Sequence, residues 1–301
     1  MPHDHSHHGH HHHVPEGDGN LTIAIGVNLL LTVAQIIAGL FSGSLALIAD
    51  AVHNLSDAIS LVLAMAARKI ARRPADAAMT FGYGRAEVVA ALINYTTLIV
   101  LSVWLAAEGV MRLFDPQTVE GWTVVIVAAI ALVIDTVTAL LTFRMAKDSV
   151  NIRAAFLHNL ADALGSVAVI VAGTLILLYD WRLIDPIVTL GISAYILWHA
   201  ASEIMPVIRI LMMGSPTDPH AHDVLDALRA VPGVVDVHHL HLWRMQEHET
   251  ALEAHVVQDS PDDTLRQRVK TLLTERFHIH HSVIEIEPAH AACEGVPAIG
   301  H

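Results

Sequence analysis

Six long apolar stretches, separated by short polar segments, occupy the first two thirds of the chain. They cover residues 21–42, 46–67, 87–111, 121–143, 154–178 and 184–210. Each is close to the roughly 20 apolar residues that a helix needs to cross a bilayer. The pattern therefore predicts six transmembrane helices, with a tight turn at residues 42–44 between the first two.

After the segment Ser215–Pro219, the apolar positions follow a different pattern. Helical spacing at 222–231 and 261–277 is combined with strand-like segments at 234–245, 250–258 and 281–288. Asp262 or Asp263 is the candidate cap of the second helix. The order α-β-β-α-β predicts a three-stranded sheet with two helices on one face, which is a small α+β layer.

These patterns divide the chain into four parts. We predict a His-rich tail at 1–19, a membrane domain at 20–213, a soluble α+β domain at 214–290 and a C-terminal tail at 291–301. Eight of the 23 histidines fall within the first 13 residues. That tract has three open interpretations: a native metal-gathering tail, a purification tag or an inert segment.

Composition supports an integral membrane protein with a soluble part. Hydrophobic residues make up 53% of the chain and charged residues 16%, and the mean hydropathy is +0.50. The net charge of −13 argues against a nucleic-acid partner. A single cysteine, Cys293, excludes a disulfide within the chain.

Basic residues predict the orientation in the membrane. Eight Lys and Arg residues lie in the second and fourth connections, and two lie on the opposite side. The first group is Arg68, Lys69, Arg72, Arg73, Arg85, Arg144, Lys147 and Arg153, and the second is Arg112 and Arg182. Because basic loops stay in the cytoplasm, six helices place both termini there as well.

The candidate chemistry comes from a short repeat inside the membrane segments. HNLSDA at 53–58 recurs as HNLADA at 158–163. Residues four apart share one face of a helix, so each copy presents an imidazole and a carboxylate together. Two such helices supply two nitrogens and two oxygens from His53, Asp57, His158 and Asp162. This donor set suits tetrahedral zinc.

Three alternative roles for these four residues fit the sequence less well. Two His–Asp pairs could satisfy each other between helices without a metal, but a matched repeat favours a shared role. An intramembrane zinc hydrolase would keep one coordination position for water, and the chain contains no HExxH motif. A metal sensor without transport would leave four costly ionisable groups at membrane depth unexplained.

Several motifs together resemble the cation diffusion facilitator family, in its zinc-exporter-like branch. They are ADAVHNLSDA (49–58), FGYGRAEVVAALIN (81–94), FLHNLADALGS (156–166) and DPIVTLGI (185–192). The resemblance implies six transmembrane helices, a ferredoxin-like cytoplasmic domain, a homodimer in the cell (inner) membrane and no enzymatic activity. It implies efflux of Zn²⁺ in exchange for protons, with the quartet as ligands. Cd²⁺ or Co²⁺ could also enter such a site.

Two further acids lie within the membrane segments. Asp50 is one helical turn before His53, and Asp135 is deep in the fourth segment. Each is a candidate proton relay or a group that positions a metal ligand.

The resemblance also implies regulatory zinc in the soluble domain. The matching positions are His238, His255 and Glu287, with Glu285 where a His can occur. Weaker candidates are His239, His241, His290 and Cys293. Strand alternation predicts that His239 and His241 share one face and that His238 lies on the other.

The connection after the second segment carries no histidine, and we expect no metal site in it. Its basic residues, Arg68, Lys69, Arg72 and Arg73, are expected to contact anionic membrane lipids. Its later part resembles a family signature that we interpret as structural, linking the loop to the soluble domain. The residues are Gly82, Tyr83, Gly84, Arg85 and Glu87.

Overall fold

The computed structural model describes residues 18–145, 150–246, 249–293 and 295–300. Long helices occupy the N-terminal two thirds of the described residues, as the apolar stretches predict. They are α1 (Asp18–Ser42), α2 (Leu45–Ala71), α3 (Ala86–Phe114), α4 (Gly121–Met145), α5 (Val150–Tyr179) and α6 (Ile184–Leu211). The soluble part contains α7 (Ala221–Arg229), β1 (Val234–Gln246), β2 (Glu249–Gln258), α8 (Leu265–Phe277), β3 (His281–Pro288) and a single 3₁₀ turn at Ala289–Ala291.

Four helical segments in the described residues are long and apolar enough to cross a membrane. They are Leu45–Ala71, Ala86–Phe114, Leu160–Tyr179 and Ile184–Leu211. Gly26–Ser42 and Gly121–Val137 are apolar but shorter. A helical membrane domain is therefore clear, whereas the count of six spans stays a prediction.

The chain forms two compact units. The first runs to Ala58 and then from Leu105 to Ser193, and the second comprises Ile59–Trp104 and Ala194–His301. In the first unit, small residues let the helices approach closely, as in other membrane bundles. Gly173 of α5 has no room for a side chain, since an added Cβ would lie 2.9 Å from Val125 Cγ2 of α4.

A buried carboxylate of α6 holds the N-terminus of α2 in the first unit. Asp185, which is 1% exposed, accepts hydrogen bonds from Ser44 Oγ at 2.6 Å, Leu45 N at 2.8 Å and Ala46 N at 3.3 Å. Ser44 Oγ in turn accepts from Leu47 N at 3.1 Å. These contacts satisfy amides that a helix N-terminus leaves without partners. The preceding turn depends on Gly43 at a φ of 75°.

The α-β-β-α-β order predicted for the soluble domain is confirmed. Its sheet has the order β1-β2-β3, with β1 and β2 antiparallel and β2 and β3 parallel. The core lies between the sheet and the two helices, and its fully buried members include Leu228, Leu252, Leu265 and Leu273.

The loop that precedes α3 is bound to this domain within the second unit, as its sequence predicts. Arg85 Nε donates to the carbonyl oxygen of Met245 at 3.0 Å. Within the loop, Asp76 accepts from Ala78 N, Met79 N and Tyr83 Oη at 2.7–2.9 Å. The loop is thus internally braced and joined to the end of β1.

The cap of α8 differs from the expectation. Thr264 occupies the N-cap position, and its side chain makes no capping hydrogen bond. Asp262 instead lies two residues earlier, where its Oδ1 accepts from Thr264 N at 2.8 Å and Thr264 Oγ1 at 2.6 Å. Hydrogen bonds from Thr264 and the charge of Arg268 lower the pKa of Asp262.

This lowered pKa predicts an acid-dependent contribution to stability. The ionised Asp262 stabilises the fold above its unfolded pKa of about 3.9, and the contribution disappears as pH falls through the lower folded pKa. Asp262→Asn should therefore lower the thermal midpoint of the 215–301 domain at pH 7. The difference from wild type should shrink below about pH 4. A difference that persists at pH 2 would show that shape, rather than charge, matters there.

Candidate metal centre

The first candidate centre lies in the first unit, where α2 and α5 bring a histidine and an aspartate together. His53 Nε2 is 3.0 Å from Asp162 Oδ1. Both residues are 8% exposed, although they come from copies of the repeat 109 positions apart. The structure therefore brings one residue from each copy into direct contact.

The other two residues of the predicted quartet are placed by their backbones alone. Asp57 lies in α2 and His158 in α5, each four residues from its partner in the repeat. Their side chains lie outside the described residues. The complete four-ligand site therefore stays a prediction.

A set of hydrogen-bonded, buried polar groups lies on the same helices and their neighbours in the first unit. Gln35 Nε2 donates to Asp50 Oδ2 at 2.8 Å, and Asn54 Nδ2 donates to Gln35 Oε1 at 3.3 Å. Ser166 Oγ lies 3.4 Å from Asp50 Oδ2 and 3.1 Å from Asp135 Oδ2. The two candidate acids are thus joined through one hydroxyl group.

The sequence analysis did not identify two of these hydrogen-bonded polar residues, Gln35 and Ser166. Both are completely buried. The signal that identified Asp50 was available for Gln35, because it is also a polar side chain in the middle of an apolar stretch. Ser166 lies one turn after Asp162 on α5, and helical spacing alone could have placed it on that face.

Close packing of α5 against α2 keeps Asp50 within reach. A Cβ added to Gly165 would lie 3.0 Å from Asp50 Oδ1. A larger residue at this position would push the carboxylate away from Ser166. The glycine therefore permits the contact between the two helices.

The second candidate centre lies in the soluble domain, where four possible ligands converge. Ligand atoms of His238, His239, His255 and Cys293 all lie within 4.8 Å of one another. Ring centroids of the three histidines are 5.0–5.3 Å apart. Two of these residues, His239 and Cys293, were the weaker candidates from sequence.

The predicted alternation of His238 and His239 across the strand is wrong. His239 has a φ of 50°, and the β1–β2 register shifts between His238 and His241. Such a bulge places an extra residue in one strand and turns its side chain away from the regular alternation. Both imidazoles consequently reach the same cluster.

Glu287 supports this cluster from β3. Its Oε1 lies 2.6 Å from His255 Nδ1 and its Oε2 accepts from Cys293 N at 3.3 Å. Burial raises the pKa of Glu287, but these hydrogen bonds and the nearby His238 and His255 together hold it below its ordinary value. The carboxylate is therefore available as a ligand or as an acceptor that orients His255.

The remaining candidate ligands, Glu285, His290 and His241, are not members of this four-residue cluster. The Glu285 carboxylate is 65% exposed and 3.5 Å from His255 Nε2. His290 is exposed on the 3₁₀ turn, and neither it nor His241 joins the four-residue group found in the described part of the chain.

The C-terminal tail is held against β1. His239 N donates to Pro297 O and Leu240 N to Ala298 O, at 3.2 and 3.0 Å.

Burial and the adjacent Glu287 raise the pKa of the Cys293 thiol. A metal bound there would have to displace its proton.

The donor set of this second centre fits zinc. His238 is 3% exposed, and its Nε2 makes no hydrogen bond with the described residues, although Glu287 Oε2 is 3.3 Å away. Buried polar atoms normally have a partner, and a metal would supply one. Imidazole nitrogen and thiolate sulfur are both good zinc ligands.

Comparison with known proteins gives a consistent result across both parts of the chain. Residues 21–212 match the cation efflux transmembrane domain, and residues 216–289 match the cytoplasmic domain of cation efflux proteins. The chain is 37% identical over 258 residues to the zinc transporter ZitB of Pectobacterium atrosepticum, covering 85% of this chain and 81% of the relative.

Two other relatives have names that are not restricted to zinc. The metal cation efflux system protein CzcD of Cupriavidus metallidurans is 32% identical, covering 94% of this chain and 90% of the relative. A cadmium, cobalt and zinc/H⁺–K⁺ antiporter of Bacillus subtilis is 32% identical, with coverage of 85% and 84%.

A solved structure of the metal-bound C-terminal domain of the Cupriavidus metallidurans CzcD transporter is also similar. It is 30% identical, covers 22% of this chain and 94% of that domain, and has a TM-score of 0.21. From the two family matches, the chain belongs to the cation diffusion facilitator family, whose members are cation efflux transporters rather than enzymes.

Proposed function

We propose that the protein exports Zn²⁺ from the cytoplasm in exchange for protons by alternating access. The metal would bind between α2 and α5 at His53, Asp57, His158 and Asp162. The observation that carries this proposal is the buried His53–Asp162 pair, at 3.0 Å. Relatives named as zinc transporters and as an H⁺-coupled antiporter support it.

The donor types favour zinc over harder ions. Two imidazole nitrogens and two carboxylate oxygens suit a tetrahedral borderline metal, whereas all-oxygen sites favour manganese or magnesium. Cd²⁺ and Co²⁺ accept the same donors, and two of the relatives above have names that include them or cations in general. We therefore propose zinc as the main substrate and these two ions as secondary ones.

Proton competition for the same ligands would couple the two fluxes. Imidazole has a reference pKa of about 6.5, within the range where pH differs across a cell membrane. Protonated His53 or His158 would bind metal weakly, so an acidic exterior releases zinc there. The Asp50–Ser166–Asp135 chain offers a route for protons beside the ligands.

An imposed pH gradient should drive zinc in sealed proteoliposomes. An acidic lumen should accelerate zinc uptake, because protons leave as the metal enters, and an ionophore that collapses the gradient should remove the acceleration. Uptake is followed with a zinc-sensitive dye in the lumen. Zinc flux that is the same with and without the gradient would exclude antiport but leave uncoupled transport intact.

The proposed export of zinc from the cytoplasm also requires a particular orientation of the protein in the membrane. We propose six spans in the inner membrane with both termini in the cytoplasm, and a homodimer as the working unit. The exposed basic residues in the last turn of α2 and just after it would then contact anionic lipid headgroups. Arg68, for example, has a side chain that is 66% exposed and lies 3.8 Å from Glu87.

Zinc in the soluble domain would act as a regulatory ligand. The fold of this domain has its own buried core, so it can respond to metal as a unit. The proposed ligands are His238, His255 and Cys293, together with His239 or Glu287. A filled site would fix the C-terminal tail on β1.

Zinc should accordingly raise the thermal midpoint of the isolated 215–301 domain. At a free zinc concentration 100 times the dissociation constant, the expected stabilisation is about 2.7 kcal/mol. His238→Ala should abolish the shift and Cys293→Ser should reduce it. His222→Ala, an exposed histidine on α7, is the matched control and should leave the shift unchanged. An identical shift in wild type and His238→Ala would remove the regulatory site.

A further inference from the structure

A groove in the second unit lies between the C-terminal end of α6 and β1. Its volume is about 680 Å³. Apolar side chains form much of its wall, including Met205, Ile208 and Met212. Met205 and Met212 are 61% and 77% exposed. A hydrophobic surface of this kind at the end of a membrane-spanning helix calls for an apolar occupant.

Two guanidinium groups add positive charge to the same groove. Arg209 belongs to the last turn of α6 and Arg244 to β1, and both line the cavity. In the described part of the chain, neither arginine forms an ion pair with a carboxylate. The wall therefore combines an apolar surface with two positive charges, and no carboxylate of the described residues pairs with either of them.

A phospholipid has this combination of properties, whereas a soluble anion does not. A free phosphate would contact the arginines but would gain nothing from Met205 or Ile208. An anionic headgroup supplies the phosphate, and its acyl chain supplies apolar contact that is worth roughly 25 cal/mol per Å². The α6 terminus is also where the polar boundary of a bilayer lies if this helix spans it.

We infer that the groove binds one anionic phospholipid, with its phosphate between Arg209 and Arg244 and its acyl chain against Met205 and Ile208. This inference rests on the proposed membrane placement of α6, but not on zinc transport. Because Arg209 belongs to the membrane helix and Arg244 to the sheet, the lipid would connect the two. The soluble domain would then be tied to the anionic leaflet.

Native mass spectrometry of the full-length protein in detergent tests this inference. Phosphatidylglycerol, phosphatidylcholine and glycerol 3-phosphate are titrated separately, without zinc. A variant with both Arg209→Gln and Arg244→Gln should bind phosphatidylglycerol roughly 25-fold more weakly, at about fivefold for each charge. A control with both Arg266→Gln and Arg276→Gln, which removes two exposed charges from α8, should change the affinity less than twofold.

Three results would overturn the inference. Equal phosphatidylglycerol binding by the groove variant and wild type would exclude the groove. Glycerol 3-phosphate binding as tightly as the lipid would indicate a site for soluble anions. Loss of the dimer in the groove variant without a change in lipid binding would assign the surface to a second copy. The single variant Arg209→Gln, at an exposed side chain, provides the same readout if the double variant does not fold.

Discussion

Asp162→Asn should reduce zinc flux in proteoliposomes at least about 100-fold. Altering a residue that merely supports a metal ligand already costs about 10- to 100-fold in affinity or activity, and Asp162 is itself the proposed ligand. The amide keeps the size of the carboxylate but removes the charge that balances the metal. It also removes the anionic partner 3.0 Å from His53 Nε2. The measurement is zinc uptake into proteoliposomes, followed with a dye in the lumen, when the lumen is more acidic than the outside.

Asp115→Asn is the matched control for this experiment. Asp115 is an exposed carboxylate just after α3 in the same unit, so its loss changes net charge by the same amount without touching the site. Flux should remain within twofold of wild type. If Asp162→Asn transports as fast as Asp115→Asn, the repeat is not the transport site, and zinc must cross the protein at other residues.

The repeat is the basis on which the sequence predicts the first centre, because local geometry carries most of the information. Helical spacing places each His–Asp pair on one face, and apolar surroundings make an ionisable residue conspicuous. Hydropathy likewise located α2 at 46–67, whereas the helix runs over Leu45–Ala71. The difference arises because hydropathy stops at polar residues such as Arg68, which continue the helix.

Contacts between distant segments could not be predicted in the same way. Asp185 and Leu45 are 140 positions apart, and no periodicity relates them. The bulge at His239 depends on a positive φ in a residue that is not glycine, so regular alternation assigned the wrong face. Cys293 reaches the cluster because the tail follows β1, which composition cannot indicate.

Asp185→Ala should destabilise the protein strongly, and more than Asp185→Asn or Thr189→Ala. The change leaves three buried donors, Ser44 Oγ and the amides of Leu45 and Ala46, without their acceptor. Hydrogen bonds to charged groups contribute about 1.5–3 kcal/mol each, and they are not additive. We expect a loss on the order of 3–5 kcal/mol, which is about a 10 °C decrease in the thermal midpoint in detergent.

Thr189→Ala provides the comparison for the second prediction. Thr189 Oγ1 donates to the backbone oxygen of Asp185 at 2.8 Å, so this variant removes a neighbouring buried hydrogen bond but keeps the cap. Its midpoint should fall by less than half as much. Asp185→Asn, which retains one acceptor oxygen, should be intermediate. A midpoint for Asp185→Ala within 2 °C of wild type would mean that other groups satisfy the start of α2.

The carboxylate that caps α2 also has a consequence for biogenesis. Ribosomes make α2 long before α6, because the two partners are 140 positions apart. Until Asp185 arrives, the amides of Leu45 and Ala46 lack the acceptor that they have in the finished protein, and unsatisfied backbone groups are costly in lipid. The first turn of the helix that carries His53 therefore acquires this acceptor only after α6 has been made, and nascent chains that stop earlier should be degraded faster by membrane quality-control proteases than chains that include α6.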